Sequence, residues 1–215
     1  MNRISEKLLK MISDFAGEFR GAFNIRENGE CVGRRSTPNI RIEAKKDAPG
    51  LIIHISPETA KEIVYIPACV THGAIDDLVY NDFYVEAGAD VTIIAGCGVH
   101  TDSGDTARHN GIHRFFLESG AHVLYKEKHV GTGTGTGQKR IDPVTDMVLM
   151  ENSILEMDTV QIGGIDSTVR KTTARLAAGA RLTIHESILT EKNETAKTDF
   201  IVSMDGEDSA VDLIS

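Results

Sequence analysis

One cysteine and three histidines lie within 17 residues near the middle of the chain, in a segment rich in glycine. Thiolate and imidazole groups are the side chains that bind zinc and iron in proteins. The spacing therefore predicts a metal site formed by Cys97, His100, His109 and His113. The alternative is a buried cysteine beside polar loop histidines, because the segment has no C-x-x-C pair and His109 and His113 lead into a strand.

A second segment alternates glycine with threonine at residues 131–137 and continues as Gln138-Lys139-Arg140. Its glycines suggest a phosphate-binding loop, but the Gly-Lys-Ser/Thr ending of a P-loop is missing and no clear helix follows. We predict a flexible loop between structural repeats instead. The chain also has no G-x-S-x-G, H-E-x-x-H or strand-linked G-x-G-x-x-G motif. The sequence therefore predicts a protein that is not an enzyme and has no ATPase motif of its own.

The composition excludes several classes of protein. Among 215 residues, 23 Lys and Arg face 32 Asp and Glu, so the formal charge is −9. This acidity argues against a nucleic-acid partner held by phosphate contacts. No apolar run approaches the ~20 residues of a membrane helix, and no signal peptide is visible. We expect a cytoplasmic protein with no membrane partner.

The cysteines are few and widely spaced, at Cys31, Cys69 and Cys97. An odd, dispersed set is not the framework of a disulfide-stabilised secreted domain. We therefore expect the thiols to be reduced. Cys69 and Cys97 form a second thiol site only if folding brings them together.

From residue 80 onward the sequence repeats a unit of strand, tight turn and strand. Four turns fall at Gly88, Gly120, Ser153 and Gly179, and a degenerate fifth copy has Gly206, at intervals of 32, 33, 26 and 27 residues. Two strands per repeat of this length are typical of one coil of a β-solenoid, whereas a propeller blade needs a longer repeat. We predict a mainly β protein, a parallel β-helix with these turns aligned along one edge. A β-sandwich is the alternative architecture.

The N-terminal part has a different pattern. Apolar residues recur at helical spacing over 4–20, with Asp14 among the polar positions, and Gly21 is a plausible stop. We predict one amphipathic helix docked on its own domain. The predicted organisation is an N-terminal helix at 1–22, an N-terminal β region at 23–79 and a β-helix core at 80–215.

Several long, continuous segments resemble the SufB/SufD family, the scaffold proteins of the SUF iron–sulfur assembly machinery. They are residues 24–30, 77–84, 95–100, 108–115 and 156–161. The chain looks most like the short SufB-like members, over nearly its whole length. The resemblance implies a right-handed parallel β-helix that assembles a transient iron–sulfur cluster. It also implies two partners, a SufC-type ABC ATPase and another SufB/SufD-type protomer.

Within the resemblance, Cys97 lies in the segment that matches most closely. We therefore expect Cys97 to bind iron or a cluster, with His100 nearby. Family members continue beyond residue 215 with a cysteine and acidic/histidine cluster site and with ATPase-docking helices. The resemblance thus implies a C-terminally truncated member, and we expect its open C-terminal coil to self-associate.

Two other functions stay open at this point. One is a non-catalytic β-solenoid interaction module, in which Cys97 is inert in the core. The other is a carbohydrate-active β-helix, which needs paired carboxylates and usually aromatic platforms. The absence of Trp and an aromatic content of 5% weaken the carbohydrate alternative.

Overall fold

The computed structural model describes residues 1–13 and 15–215. Over these residues it contains one helix, α1 (Arg3–Ile12), and sixteen strands. The strands are β1 (Ala22–Glu27), β2 (Glu30–Arg35), β3 (Ile40–Ala44), β4 (Gly50–Ile55), β5 (Ala60–Val70), β6 (Ile75–Val85), β7 (Asp90–His100), β8 (Ala107–Leu117), β9 (His122–Thr132), β10 (Lys139–Ile141), β11 (Val144–Leu149), β12 (Ile154–Gln161), β13 (Ser167–Leu176), β14 (Arg181–Ile188), β15 (Thr195–Met204) and β16 (Ala210–Ile214).

The strands form two sheets, and the chain alternates between them. The first has the order β2-β1-β5-β7-β9-β12-β14-β16. The second has the order β3-β4-β6-β8-β11-β13-β15, with β10 beside β8 and β13. Pairing is parallel except in the pairs β1–β2 and β3–β4. Each coil therefore gives one strand to each sheet, and the predicted β-solenoid is confirmed, with about six turns.

The solenoid also includes strands from the region that precedes residue 80. β1 pairs in parallel with β5, and β4 pairs in parallel with β6. Residues 23–79 and 80–215 thus contribute to the same two sheets. Among the described residues, no helix has the length and apolar character needed to cross a membrane.

The turns between the two sheets are stacked along one edge, as predicted. The backbone N–H of Gly88 donates to the Ser119 carbonyl, and that of Gly120 donates to the Glu151 carbonyl. In other coils a positive φ occurs at Asn152 and Asp208, which lie within two residues of Ser153 and Gly206. The short polar side chains of Asn and Asp tolerate a left-handed backbone, so these turns do not require glycine.

Helix α1 is shorter than the predicted helix at 4–20. It begins after Asn2, whose Oδ1 accepts hydrogen bonds from the N–H groups of Ile4 and Ser5. It ends at Ser13, whose backbone N–H and hydroxyl both donate to the Leu9 carbonyl. The hydroxyl bond to the carbonyl four residues earlier adds to the ordinary helical bond of the N–H, and such a side-chain bond weakens continuation of the helix. Asp14, assigned to the polar face, lies outside the described residues.

The apolar residues beyond the helix serve a different purpose from the predicted one. The ring of Phe15 contacts that of Phe19 at a tilted angle, and Phe19 in turn contacts the rings of Phe23 and Tyr65. These rings attach the segment after α1 to strands β1 and β5. Their spacing is that of the apolar face of a helix, but their packing against other rings is accompanied by a non-helical backbone.

Helix α1 packs on the outer face of the first sheet, directly over the glycines that flank Cys97. A Cβ at Gly98 would lie 3.0 Å from the Leu8 side chain, and one at Gly96 would lie 2.6 Å from the Ile12 carbonyl oxygen. Successive residues of a strand point to opposite faces. The glycines therefore let the helix approach from outside while Cys97 points into the lumen.

The glycine–threonine segment is held in place by the preceding coil. The N–H groups of Gly135 and Gly137 donate to the carbonyls of Thr101 and Ser103. A Cβ at Gly137 would overlap the backbone of Asp105. The prediction of a flexible loop was wrong, because close backbone stacking between coils requires glycine at alternate positions.

We expect Gly137→Ala to lower the free energy of unfolding by about 2 kcal/mol or more, because the new methyl group forces the two backbones apart. Urea unfolding measures the change. The matched control is Gly104→Ala, where the new Cβ would have only Thr136 Oγ1 within 4 Å, at 3.7 Å. This variant should stay within about 0.5 kcal/mol of the parent protein. Equal stability of the two variants would contradict the stacking argument.

Candidate functional site

Three of the four predicted metal ligands point into the lumen. Cys97, His109 and His113 line an internal cavity of about 40 Å³. His109 and His113 are four residues apart on β8, so the alternation of the strand puts both on its inner face. The structure therefore brings these three residues into one internal region. As ligands of one ion they stay a prediction.

His100 is separated from this group. It lies three residues after Cys97 on the same strand, so its side chain takes the opposite face. There Nδ1 lies 2.9 Å from Thr132 Oγ1, and Nε2 lies 3.0 Å from Asp102 Oδ2. His100 thus belongs to the outer surface next to α1, and it does not share a site with the Cys97 thiol.

Two residues that were absent from the sequence prediction complete the internal group. In the parallel register, His129 on β9 lies directly beside Cys97 on β7, and Glu127 is paired with Ala95. Donor atoms of Cys97, Glu127 and His129 all lie within 4.8 Å of one another, and all three residues are buried. The signal was present in the sequence, since both residues lie about one coil length from Cys97.

Glu127 belongs to a buried ionic triad. Its Oε2 lies 3.0 Å from Arg170 Nη1, and Arg170 Nε lies 2.8 Å from Glu186 Oε1. All three side chains are at most 3% exposed. The guanidinium is thus shared between two carboxylates from different coils. Breaking such a buried pair leaves an uncompensated charge, which is strongly destabilising.

Burial and neighbouring charges shift the pKa values of Glu127 and Cys97 in opposite directions. Burial tends to raise the pKa of Glu127, but His129 and Arg170 outweigh it and hold the pKa of this carboxyl well below its usual range. Burial, together with the charge of Glu127, raises the pKa of the Cys97 thiol well above its usual value. The site therefore combines an ionised carboxylate with a protonated thiol.

A hydrogen-bond chain extends from Glu127 across the lumen. The Tyr125 hydroxyl donates to Glu127 Oε1 at 2.9 Å, so it accepts from His113 Nδ1 at 2.7 Å. His113 Nε2 then accepts from Asn81 Nδ2, at 3.4 Å. Both ring nitrogens of His113 are therefore engaged, and its tautomer is fixed by its neighbours.

His109 belongs to a separate buried pair. Its Nδ1 lies 3.0 Å from Asp77 Oδ2, and Arg26 makes a two-pronged contact with the same carboxylate. Burial acts to raise the pKa of Asp77, but the hydrogen bonds from His109 and Arg26 outweigh it and lower this pKa. Asp77 thus remains an anion inside the solenoid.

His129 has an unusual environment for a fully buried histidine. Its Nε2 lies 3.3 Å from Glu127 Oε1, yet it has no aligned hydrogen-bond partner among the described residues. Two neighbours in the next coil share this property within the same described part of the chain, Thr159 at Oγ1 and Gln161 at Nε2. The register places Thr159 beside Glu127 and Gln161 beside His129. Arg170 Nε and Glu186 Oε1 also lack aligned hydrogen-bond partners, although they lie 2.8 Å apart as an ion pair. Five of the eleven such atoms among the described residues therefore lie in this part of the lumen.

Of the other two cysteines, Cys69 lies outside the lumen, whereas Cys31, on the edge strand β2, lines the same cavity as Cys97. Cys69 packs with Leu8, Leu9 and Ile12 of α1, on the outer face of the first sheet. Burial raises the pKa of its thiol to about 12. Cys31 is exposed, and all three cysteines are free. The second thiol site considered for Cys69 and Cys97 is therefore not formed, because the two side chains lie on opposite faces of the sheet.

Neither a family model nor a curated protein matches the chain. A thiol, a carboxylate and an imidazole in one buried cluster can bind a transition-metal ion of the iron and zinc group.

We expect His113 to make the protein sensitive to acid. Burial lowers its pKa to about 4, whereas an unfolded histidine titrates near about 6.5. The unfolded chain therefore binds the proton first, so the stabilisation is fully present above pH 6.5. It is lost as the pH falls towards 4, by about 3 kcal/mol at most.

Urea unfolding at a series of pH values measures this effect. The variant His113→Asn, which keeps a donor towards Tyr125, should flatten the dependence of stability on pH between 6.5 and 4. The control Phe83→Leu alters packing against the same ring but removes no titratable group, so it should keep the parent slope. An unchanged slope in His113→Asn would assign the acid sensitivity to other groups.

Proposed function

We propose that this protein is a non-catalytic scaffold for iron–sulfur cluster assembly, which works with an ABC-type ATPase and a second scaffold protomer. Iron and sulfur are its cargo. The observation that carries the proposal is the buried group of thiol, carboxylate and imidazole at Cys97, Glu127 and His129. Cys97 lies in the segment that most resembles the SufB/SufD family.

The donor set supports iron as the cargo. Thiolate and imidazole ligands suit iron, and the burial of the group keeps water and oxidants away from it. Iron–sulfur clusters are usually held by four cysteine thiolates. Only Cys97 among the three cysteines belongs to the buried donor group, because Cys69 packs under α1 and Cys31, which lines the neighbouring cavity, is exposed. Further ligands of a complete cluster would therefore come from sulfide and from the second protomer, which fits a transient cargo.

The packing of the glycine–threonine segment supports the assignment of ATP hydrolysis to a partner. The peptide N–H groups of Gly135 and Gly137 already donate to the preceding coil. They are therefore not available to cradle a phosphate, as the amides of a P-loop are. The scaffold itself then needs no nucleotide site.

A purely structural β-solenoid module is the second candidate. The observation that favours it is the closure of the site, since Cys97 is 5% exposed and Arg170 already neutralises Glu127. In that case the buried ionic groups serve only the fold, and the thiol is inert. The two candidates differ in what they predict for iron binding.

Anaerobic reconstitution with Fe(II) and sulfide tests the proposal. We expect the folded protein to develop sulfur-to-iron charge-transfer absorption, and Cys97→Ala to lose most of this absorption together with its bound iron and sulfide. The matched control is Cys69→Ala, which removes an equally buried thiol on the other face of the sheet. Cys31→Ala removes the exposed thiol.

Both control variants should retain the parent spectrum. Equal iron and sulfide content in the parent protein and Cys97→Ala would reject the scaffold function at this site. That outcome would favour the structural module.

A further inference from the structure

We infer that the lumen binds a single divalent transition-metal ion through Cys97, Glu127 and His129, and that the ion competes with Arg170 for Glu127. The inference deepens the proposed function, on which it rests only for naming Fe(II) as the physiological ion. The metal is then held in this chain as one ion before sulfide is supplied. The site itself is argued from the donor atoms and their surroundings.

The donor atoms are positioned by rigid elements. Cys97 and His129 are register neighbours on β7 and β9, and Glu127 lies on the same face of β9, two residues from His129. Ligand atoms that each lie about 2.0–2.3 Å from one ion are at most about 4.6 Å apart. The observed separations are within 4.8 Å, so small side-chain rotations are sufficient. The backbone does not have to move.

The unpartnered ring nitrogen of His129 is an independent indication of a ligand. Its side chain has no exposure, and Nε2 is directed towards the Glu127 carboxylate at 3.3 Å without hydrogen-bond alignment. A buried polar atom without a partner costs about 1–3 kcal/mol. A metal ion between the imidazole, the carboxylate and the thiol would engage this nitrogen as a ligand.

The charges explain why Arg170 can give up Glu127. Glu127 and Glu186 are two carboxylates that share one guanidinium. When a divalent ion binds Glu127 and the Cys97 thiolate, these three charges cancel. Arg170 then remains paired with Glu186, so no buried charge is left uncompensated. The thiol proton passes to solvent, the S–H bond is replaced by a metal–sulfur bond, and no electron is transferred.

The surroundings of the site indicate one ion when no sulfide is present. The donor group contains one thiol, that of Cys97. The cavity beside Cys97, about 40 Å³, is also lined by Cys31 and has room for an ion or water molecules. Of the nearby histidines, His113 uses both ring nitrogens in hydrogen bonds, and His109 uses Nδ1 towards Asp77. Cys97, Glu127 and His129 are the residues whose donor atoms the structure brings within reach of one ion.

Anaerobic titration of the full chain with Co²⁺ tests the inference, because Co²⁺ bound to a thiolate has intense sulfur-to-cobalt absorption. We expect saturation at one Co²⁺ per chain. Cys97→Ala should abolish the thiolate band, and His129→Ala should weaken binding at least tenfold. Cys69→Ala and His100→Ala are the controls and should bind as the parent protein does. Absence of the band in the parent protein, or its persistence in Cys97→Ala, would overturn the site.

Two variants test the competition with Arg170. Arg170→Met removes the competitor, so it should bind Co²⁺ about tenfold more tightly, and Co²⁺ should raise its melting temperature more than that of the parent. Glu186→Gln takes away the second carboxylate, so Arg170 holds Glu127 more firmly and the affinity should fall. If Arg170→Met does not fold, Glu186→Gln still tests the competition. Unchanged Co²⁺ affinity in Glu186→Gln, or weaker binding by folded Arg170→Met, would overturn the role of Arg170.

The two proposals fail in different ways. Co²⁺ binding at Cys97 without any cluster reconstitution would reject the scaffold function and retain the metal site. Cluster reconstitution without a cobalt–thiolate band would reject the single-ion site and retain the scaffold.

Discussion

Parallel, in-register stacking of the coils determines which side chains meet inside this protein. Each inward residue of one coil lies beside an inward residue of the next, about 4.8 Å away. One such column contains Cys97, His129 and Gln161. A neighbouring column contains Glu127, Thr159 and Glu186. The reactive group is therefore a product of the coil length, since residues far apart in sequence become direct neighbours.

The same stacking divides the lumen into an apolar and a polar part. Close to the aligned turns, Val91, Val123, Leu155 and Leu182 form one continuous apolar column. Six residues farther along β7 the chain reaches Cys97 and the ionic triad of Glu127, Arg170 and Glu186. Desolvating these charges opposes folding unless every one of them is paired. The apolar columns supply the stability that lets the polar part exist.

The sequence was sufficient to predict the repeat. It was not sufficient to predict where the N-terminal helix ends or how the glycine–threonine segment packs. Alternating strands and turns at intervals of 26 to 33 residues predicted the solenoid and the aligned turns. The helix prediction failed after Ile12 because Ser13 caps the helix and Phe15 and Phe19 pack with other rings. The glycine–threonine segment was misread because the need for glycine there arises from the neighbouring coil, which a local pattern does not reveal.

The site was partly predictable for the same reason. Cysteine and histidine type drew attention to Cys97, His109 and His113, but proximity in sequence also included His100, which strand alternation places outside. The sequence did not predict Glu127 and His129 because they lie about one coil length from Cys97, outside any local motif that contains it. Aligning the coils before searching for ligands would have placed His129 beside Cys97, since the register interval is the repeat interval.

The glycines on either side of Cys97 connect the outer surface with the site. They permit α1 to lie against the first sheet, where Leu8 and Ile12 would otherwise meet side chains. The helix therefore covers the outside of the same strand segment whose inner face carries the thiol, and it also covers Cys69. Two thiols that are close in space are thus kept in separate environments. A buried donor group of one thiol, one carboxylate and one imidazole is suited to holding one metal ion, and a cluster with more thiolate ligands requires a second protein surface.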